Sequence, residues 1–187
     1  MTDYKIHTVD SAPGDSRTLL GQVGEKYGFT PNLMGLLAES PAALEAYATL
    51  SGIFEKTDFS PVEQQVILLT VNRLNECPYC MAAHSTIAKS AGMEDATLEA
   101  LRDGTELPDA RQNALASFTR SIVQKRGWVS EAEVEAFLAE GFTKANVLEV
   151  ILGASFKTLS NYANHIATTP VDKAFANQTW SKDGARS

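Results

Sequence analysis

Helix-start signals recur along this chain, and they limit its fold more than any other feature. The strongest is Ser60-Pro61-Val62-Glu63, with Ser as N-cap, Pro at the first helical position and Glu where a capping box requires it. Ser40-Pro41, Ser130 and Thr143 start further helices. No segment alternates with period two over more than a few residues, and no hairpin dipeptide separates β-branched runs. We predict an all-α fold of eight or nine helices.

The 187 residues suit one domain spanning 1–187, and 44% of them are hydrophobic, enough for a substantial core. Residues 1–15 show no periodicity, and we expect an extended N-terminal arm that can dock on a partner subunit. Ser16 is predicted to cap the first helix. Residues 60–92 hold the central helices, and residues 177–187 are expected to be a loose tail.

The central motif is Cys77-Pro78-Tyr79-Cys80, followed four residues later by His84. It contains both cysteines of the chain. On a helix, the two thiols and the imidazole fall along one stripe. Pro78 suits the first helical position, which places Cys77 near the N-cap and Cys80 in the first turn. The motif therefore predicts a redox-active dithiol with a base beside it.

Two influences are expected to favour the thiolate of Cys80. The free N–H groups and the positive dipole end of a helix start stabilise an anion, and an imidazolium at His84 would add to this effect. Both lower a cysteine pKa, and the thiolate is the reactive form. We assign Cys80 as the attacking thiol, because His84 lies one i,i+4 step away. Cys77, at the helix mouth, is expected to resolve the intermediate and meet a reductant.

The two cysteines have three less favoured uses. A structural zinc site needs four ligands, and the chain has no third cysteine. The Cys-Pro-Tyr-Cys sequence also occurs in glutaredoxins, but there it follows a β-strand, and nothing strand-like precedes Cys77. Buried, inert thiols are the third possibility. We expect no metal and no cofactor.

Charge and hydropathy bear on the partners. The formal net charge of −7 argues against a general binder of nucleic acids or anionic membranes. No apolar run reaches the roughly 18 residues that span a bilayer. The first residues lack the apolar segment of a secretory signal, so we expect a cytoplasmic protein.

The stretch over residues 60–92 resembles the AhpD-like alkylhydroperoxidases of the carboxymuconolactone decarboxylase superfamily. The shared features are a Ser-Pro-capped apolar helix, Asn75 two positions before the first cysteine, and the C-x-x-C-x-x-x-H pattern. A second match covers residues 161–167 with Pro170 and Asp172. It resembles the closing helix of the branch labelled peroxidase-related.

This resemblance implies an all-helical fold that assembles as a dimer, trimer or hexamer. It also implies thiol-dependent peroxide reduction in antioxidant defence. Cys80 would attack the peroxide, Cys77 would form the disulfide, and His84 would belong to a proton relay that activates Cys80.

The chain departs from the family pattern at two positions. Gln65 stands where fully equipped members have a glutamate, twelve residues before the first cysteine. A glutamine cannot accept and return a proton as a carboxylate does. Glu63 points about 160° away on the same helix, so the relay would be incomplete or served by Glu76. Tyr79 occupies the region where those members have a histidine between the cysteines.

Glu63, Glu76, Tyr79 and His165 each have a simpler interpretation than a role in the proton relay. Glu63 is most simply a capping-box residue. Glu76 would raise the pKa of Cys77 if close to it. Tyr79 suits a pocket or interface aromatic better than an acid. His165 is expected to be a core histidine capping its own helix end, with a polar pocket wall facing Cys80 as its second possible position.

The sequence thus predicts a cysteine-based thiol peroxidase or disulfide oxidoreductase. It would take a peroxide or disulfide substrate and a thiol reductant. A second hypothesis is the superfamily's lactone decarboxylation, which does not need the C-x-x-C pair. A third is a non-catalytic redox sensor or helical assembly protein, which Gln65 would suit.

Overall fold

The computed structural model describes residues 4–182 and Gly184. Within these residues the chain forms nine α-helices, one 3-10 helix and no β-strand, so the all-α prediction is confirmed. The helices are α1 (Gly14–Tyr27), α2 (Asn32–Leu37), α3 (Pro41–Phe54), α4 (Pro61–Leu74), α5 (Pro78–Ser90), α6 (Asp95–Asp103), α7 (Ala110–Gln124), α8 (Glu131–Ala139) and α9 (Lys144–Ala167), and the 3-10 helix is Lys173–Gln178. No helix in the described part of the chain is long and apolar enough to cross a bilayer.

Capping side chains set most of the helix starts. Ser60, Ser130 and Thr143 each close a capping box at the head of α4, α8 and α9. The first helix begins earlier than predicted, at Gly14, with Pro13 as its N-cap. Ser16 is instead buried within the first turn of α1, where its hydroxyl donates to the Ala38 carbonyl at 2.7 Å.

Helix α4 lies at the centre of the fold and packs against α5, α6, α7 and α9. Its residues from 64 to 72 are all buried, as its nearly continuous apolar sequence predicts. The long helix α9 crosses α3 and α4 closely at Gly153. A Cβ there would lie 2.9 Å from side-chain atoms of both Ile67 and Phe54. This close approach brings the polar side chains of α9 next to the start of α5.

The N-terminal arm, described from Tyr4, packs on its own chain against α2. The backbone N–H of His7 donates to the Gly35 carbonyl at 3.0 Å, and its imidazole lies 2.7 Å from a Glu39 carboxylate oxygen. A Cβ at Gly35 would lie 2.6 Å from the His7 carbonyl oxygen, so only glycine allows this contact. Residues 1–3 of the predicted arm lie outside the described residues.

The segment expected to be a loose tail is docked as far as it is described. The 3-10 helix packs on α5, and the Trp180 indole N–H donates to the Arg102 carbonyl at 3.0 Å. The guanidinium of Arg73 lies over the Trp180 ring, 5.3 Å from its centroid. Asp183 and residues 185–187 lie outside the described residues.

Candidate active site

The two cysteines lie at the start of α5, in the geometry that Pro78 predicts. Cys77 is the N-cap, with extended backbone, and Pro78 opens the helix. The backbone N–H of Cys80 donates to the Cys77 sulfur at 3.4 Å. Both thiols are free and buried, with 0% of Cys77 and 1% of Cys80 exposed.

A cavity of about 240 Å³ reaches Cys80 from the surface. Most of its wall is apolar and aromatic, and a smaller set of polar side chains lines the rest. The wall includes Tyr27, Phe29, Leu33, Met34, Tyr47, Phe54, Leu68, Ala83, Ile87, Phe156 and Phe175, and its polar groups include Gln64, Gln65, Tyr79, His84 and Lys157. At the outer part of the cavity, Lys26 and Glu55 form an exposed ion pair at 2.8 Å. Cys77 is buried and is not part of this wall, so our expectation that Cys77 would meet a reductant at the helix mouth is wrong for this structure.

Helix α9 places a lysine in the wall with none of its surface exposed. The Lys157 Nζ lies 2.9 Å from Nε2 of His84, and Nδ1 of His84 lies 2.9 Å from Oε1 of Gln65. An ammonium group only donates, so Nε2 of His84 accepts and its Nδ1–H donates to the Gln65 oxygen. A chain of three hydrogen-bonded side chains therefore connects α9, α5 and α4.

The surroundings of the two sulfurs shift their pKa values in opposite directions. Burial by itself raises the pKa of Cys80, but the Cys77 thiol, the charge of Lys157 and the amides of Asn161 and Asn164 outweigh it and lower that pKa to about 6. The pKa of Cys77 is raised by its hydrogen bond to the Cys80 sulfur, by burial and by the Cys80 charge. At neutral pH, Cys80 is a thiolate and Cys77 a thiol that donates to it.

The positive charge beside Cys80 belongs to Lys157 and not to His84, which corrects our prediction of an imidazolium. Burial and the Lys157 charge together hold the pKa of His84 well below its ordinary value, so the ring is neutral. Burial also opposes the charge of Lys157, but the negative charge of Cys80 and the groups at Tyr47 and Cys77 raise its pKa. The result is a buried thiolate that experiences the positive charge of Lys157, and a neutral imidazole that accepts a hydrogen bond from that lysine.

A set of buried asparagines fixes the position of Cys80. The Asn164 side-chain amide donates to the Cys80 sulfur at 3.2 Å, and that of Asn72 donates to the Cys80 carbonyl at 3.2 Å. Asn161 donates to Asn72 at 3.0 Å and accepts from Asn75 at 2.9 Å. These bonds join α4, α9 and the C-x-x-C turn around one sulfur.

Tyr79, between the cysteines, ties the turn to two distant segments. Its hydroxyl donates to Asp172 at 2.6 Å and accepts from the Leu33 backbone N–H at 3.2 Å. Asp172 also accepts from the backbone N–H of Asn32, and the Tyr79 ring meets Phe175 edge-on. Burial and the Asp172 carboxylate raise the pKa of Tyr79, so it acts as a neutral anchor in the pocket wall.

Of the three residues predicted to extend the relay, Gln65 is the one that reaches His84. Glu63 closes the capping box at the start of α4 and pairs with Arg111 at 2.9 Å. Glu76 is exposed, with a positive φ of 53°, and pairs with Lys182 at the surface. Its side chain therefore does not extend the relay.

His165 is exposed on α9, which differs from both positions predicted for it. Its ring lies against Tyr162, with centroids 6.3 Å apart. The helix continues two residues beyond it to Ala167, and its side chain lies on an exposed face of α9, whereas that of the neighbouring Asn164 is buried. It is neither a core histidine nor a wall of the cavity.

The residues that sequence reasoning missed come mostly from one face of α9. Lys157, Asn161 and Asn164 are spaced four and three residues apart, which places them on one side of a helix. The rest of this helix is largely apolar, so a polar stripe of that spacing is the signal that would have found them. Asn72, in the apolar centre of α4, carries the same kind of signal.

The described residues contain no group of three or more His, Cys, Asp or Glu side chains placed to hold a metal ion. The two thiols and His84 are therefore not completed into a zinc site by a further ligand of these types. The arrangement holds instead what thiol chemistry needs: a stabilised thiolate, a second thiol in hydrogen-bonding contact with it, and a cation.

Known proteins share both the family pattern and the fold of this chain. Residues 39–119 match the carboxymuconolactone decarboxylase family. The fold is similar to an alkylhydroperoxidase AhpD core structure, an uncharacterized peroxidase-related protein from Ralstonia eutropha JMP134, with a TM-score of 0.80, 24% identity and coverage of 92% of this chain and 93% of that one. An uncharacterized peroxidase-related protein from Silicibacter sp. TM1040 has a TM-score of 0.80 and 20% identity, with coverage of 95% and 94%.

The debrominase Bmp8, solved as a C82A variant with 2,3,4-tribromopyrrole, also shares the fold, with a TM-score of 0.75, 13% identity and coverage of 95% of this chain and 96% of that one. Among curated proteins none matches the sequence significantly. At these identities the structural likeness establishes the fold.

Proposed function

We propose that this chain, whose residues 39–119 match the carboxymuconolactone decarboxylase family, is an AhpD-like dithiol oxidoreductase that reduces peroxides through Cys80 and Cys77. The observation that supports this most directly is the difference in protonation between the two sulfurs. Cys80 is the thiolate and lines a cavity, and Cys77 is the thiol beside it. An attacking and a resolving sulfur require these two states.

The proposed reaction uses both cysteines in turn. The Cys80 thiolate attacks the distal oxygen of a hydroperoxide, so an S–O bond forms, the O–O bond breaks and an alkoxide leaves. The product at Cys80 is a sulfenic acid, which condenses with the Cys77 thiol to a disulfide and water. A dithiol reductant then exchanges with the disulfide and returns both cysteines to the reduced state.

The cavity favours an organic substrate over a strongly hydrated one. Its wall is largely apolar and aromatic, and its volume suits a molecule of modest size. The side chains of Phe29, Phe54 and Phe175 line the approach. The role in antioxidant defence and the cytoplasmic setting expected from the sequence belong to this proposal.

Substitution of each cysteine tests the proposal. Peroxide consumption with dithiothreitol as reductant should be lost in Cys80→Ser, because a hydroxyl is not ionised near neutral pH. Cys77→Ser, first reduced and then freed of dithiothreitol, should consume about one equivalent of peroxide and stop, because its sulfenic acid has no resolving thiol. Unchanged turnover in Cys80→Ser would refute the assignment.

The same dithiol could instead reduce a carbon–halogen bond, and the apolar wall of the cavity favours this second candidate. Cys80 would take the halogen as a sulfenyl halide while a proton replaces it on the substrate carbon, and Cys77 would displace halide to form the disulfide. Bmp8 shares the fold and is a debrominase. Release of halide from a brominated pyrrole, measured beside peroxide consumption, separates the two activities.

A lyase and a redox sensor would each behave differently from a dithiol oxidoreductase. A lyase of the carboxymuconolactone decarboxylase type would keep its activity after alkylation of both cysteines. A redox sensor or a purely structural helical protein would react with peroxide no faster than free cysteine does. The rate constant of the reduced protein with cumene hydroperoxide, compared with that of cysteine at the same pH, decides between them.

A further inference from the structure

The buried lysine behind Cys80 has a feature that thiolate stabilisation alone does not require. Lys157 has no exposed surface, and its ammonium group is hydrogen-bonded to a neutral imidazole at 2.9 Å. That imidazole is in turn bonded to the neutral amide of Gln65. The hydrogen-bonded series of Lys157, His84 and Gln65 therefore contains no negatively charged group.

The other charged and titratable groups near Lys157, His84 and Gln65 either have partners of their own or are neutral. Glu55, just after α3, pairs with Lys26 at the outer part of the cavity. Asp172 accepts from Tyr79 and from the backbone N–H of Asn32. Tyr47 is buried, and burial raises the pKa of its hydroxyl, so that hydroxyl is neutral. The Cys80 thiolate is thus the negative charge that compensates Lys157.

Oxidation of Cys80 removes this compensation. In a sulfenic acid or a disulfide the sulfur carries no charge, and the ammonium would be left buried beside neutral groups. An unpaired buried charge is costly, and a buried lysine without a partner releases its proton at far lower pH than a free one. The charge on position 157 is therefore tied to the redox state of position 80.

We propose that Lys157 is the proton carrier of the dithiol centre, charged while Cys80 is a thiolate and neutral once Cys80 is oxidised. This rests on the proposed function for its chemical setting, but the redox linkage itself holds for any two-electron oxidant. Lys157 lines the same cavity as Cys80, so both groups face the space that a substrate would enter.

The proton and electron balance follows from this assignment. The reduced centre holds one thiolate, one thiol and one ammonium group. With a hydroperoxide, Lys157 gives its proton to the departing alkoxide, which leaves as an alcohol. The neutral amine then takes the Cys77 thiol proton as that sulfur attacks the sulfenic acid, and passes it to the departing hydroxide, which leaves as water. The products are a disulfide and a neutral lysine, and a dithiol restores both.

The pH dependence of the disulfide's reduction potential tests the proposal without peroxide. If Lys157 loses its proton on oxidation, two protons accompany two electrons, and the potential should fall by about 59 mV per pH unit, a hundredfold change in the equilibrium constant. If Lys157 stays charged, one proton accompanies two electrons, and the slope should be about 30 mV, a tenfold change. The reduction potential should be measured at pH values where Cys80 is ionised in the reduced protein, as shown by the ultraviolet absorbance of the thiolate.

Lys157→Arg is the matched control, because a guanidinium keeps its charge in both states. It should retain the Cys80 thiolate, show the slope of about 30 mV, and lose peroxide turnover by about a hundredfold or more, since it cannot donate a proton. Lys157→Met should raise the pKa of Cys80 above its ordinary value, because burial is then less opposed. Melting followed by circular dichroism checks that each variant folds.

The wild-type protein decides the question even if a variant does not fold. A slope of about 30 mV in the range where Cys80 is ionised would overturn the proposal. So would a Cys80 that stays protonated up to about pH 8, because Lys157 would then have no thiolate to compensate its charge. If the wild-type protein does not react with peroxide but its potential falls by about 59 mV per pH unit, the proposed function is refuted and the role of Lys157 is supported.

Discussion

Cys80 is a buried sulfur whose surroundings supply one positive charge and several hydrogen-bond donors. The donors come from Cys77, Asn161 and Asn164, and the charge from Lys157. Removing water from a thiolate is unfavourable, so these groups together have to exceed that cost. The neighbouring Cys77 experiences the opposite effect, because a thiolate next to it disfavours a second negative charge.

We predict that the reactivity of Cys80 rises with pH around a midpoint near 6. The thiolate is the nucleophile, so the alkylation rate should be low below this pKa, increase through it and reach a plateau above it. Iodoacetamide modification of the reduced protein across the pH range, with mass spectrometry to locate the adduct, measures it. A midpoint at or above about 8.5, the free-thiol value, would contradict the prediction.

At this scale the sequence identified the groups that lie close together along the chain. Cys77, Cys80 and His84 share one stretch of helix, and Gln65 was identified through the family resemblance, which has a glutamate at that position. Lys157 was missed because it reaches Cys80 only through the packing of α9. A lysine in a helix is ordinarily expected to face solvent, and nothing local shows that this one is buried.

Helix α9 owes its position to one residue without a side chain. Gly153 lies where α9 crosses α4 and α3, and Ile67 and Phe54 fill the space that a Cβ would need. Any outward shift of α9 would also move Lys157, four residues and about one turn further along the helix. The helix–helix contact and the chemistry at Cys80 are therefore linked.

We predict that Gly153→Ala destabilises the protein by about 1–3 kcal/mol, since overpacking in a close helix contact forces its neighbours apart. Gly52→Ala is the control, because Gly52 also lies inside a helix but its added Cβ would meet no atom within 4 Å apart from the adjoining backbone of its own helix. That change should stabilise by up to about 1 kcal/mol. Urea unfolding of both variants measures the difference, and equal effects would count against the packing argument.

The helix elements were largely predictable, and the segments at either end of the chain were not. Capping residues such as Ser60 and Thr143 mark helix starts by local chemistry. The arm and the segment after α9 are held by long-range contacts such as His7 with Gly35 and Trp180 with Arg102. A contact of that kind leaves no periodicity in the sequence.

On the scale of the whole molecule, α9 has two faces with different uses. Its inner face carries the polar residues around Cys80. Its outer face exposes a stripe of apolar side chains within about 60° of arc: Leu148 at 67%, Ile151 at 40%, Tyr162 at 55% and Ile166 at 64% exposed. The homo-oligomer expected from the sequence would bury this stripe.

We predict that the protein self-associates through this stripe and that Ile166→Glu shifts it towards the monomer. A carboxylate in an apolar contact surface is costly to bury, so association should weaken by tenfold or more, about 1.4 kcal/mol. Sedimentation velocity over a range of concentrations measures it. Trp128→Glu, at an 88% exposed position outside this helix, should leave association unchanged. A wild-type protein that is monomeric throughout would exclude the interface.

The cavity reaches Cys80 and not Cys77, and this has a kinetic consequence. Oxidant and reductant would have to approach the same sulfur by the same entrance, one after the other. Such a scheme is ping-pong, and each substrate in excess would occupy the enzyme form meant for the other. A small dithiol that fits beside Phe29 and Phe175 would then reduce the disulfide. A folded reductase would be too large to enter the cavity.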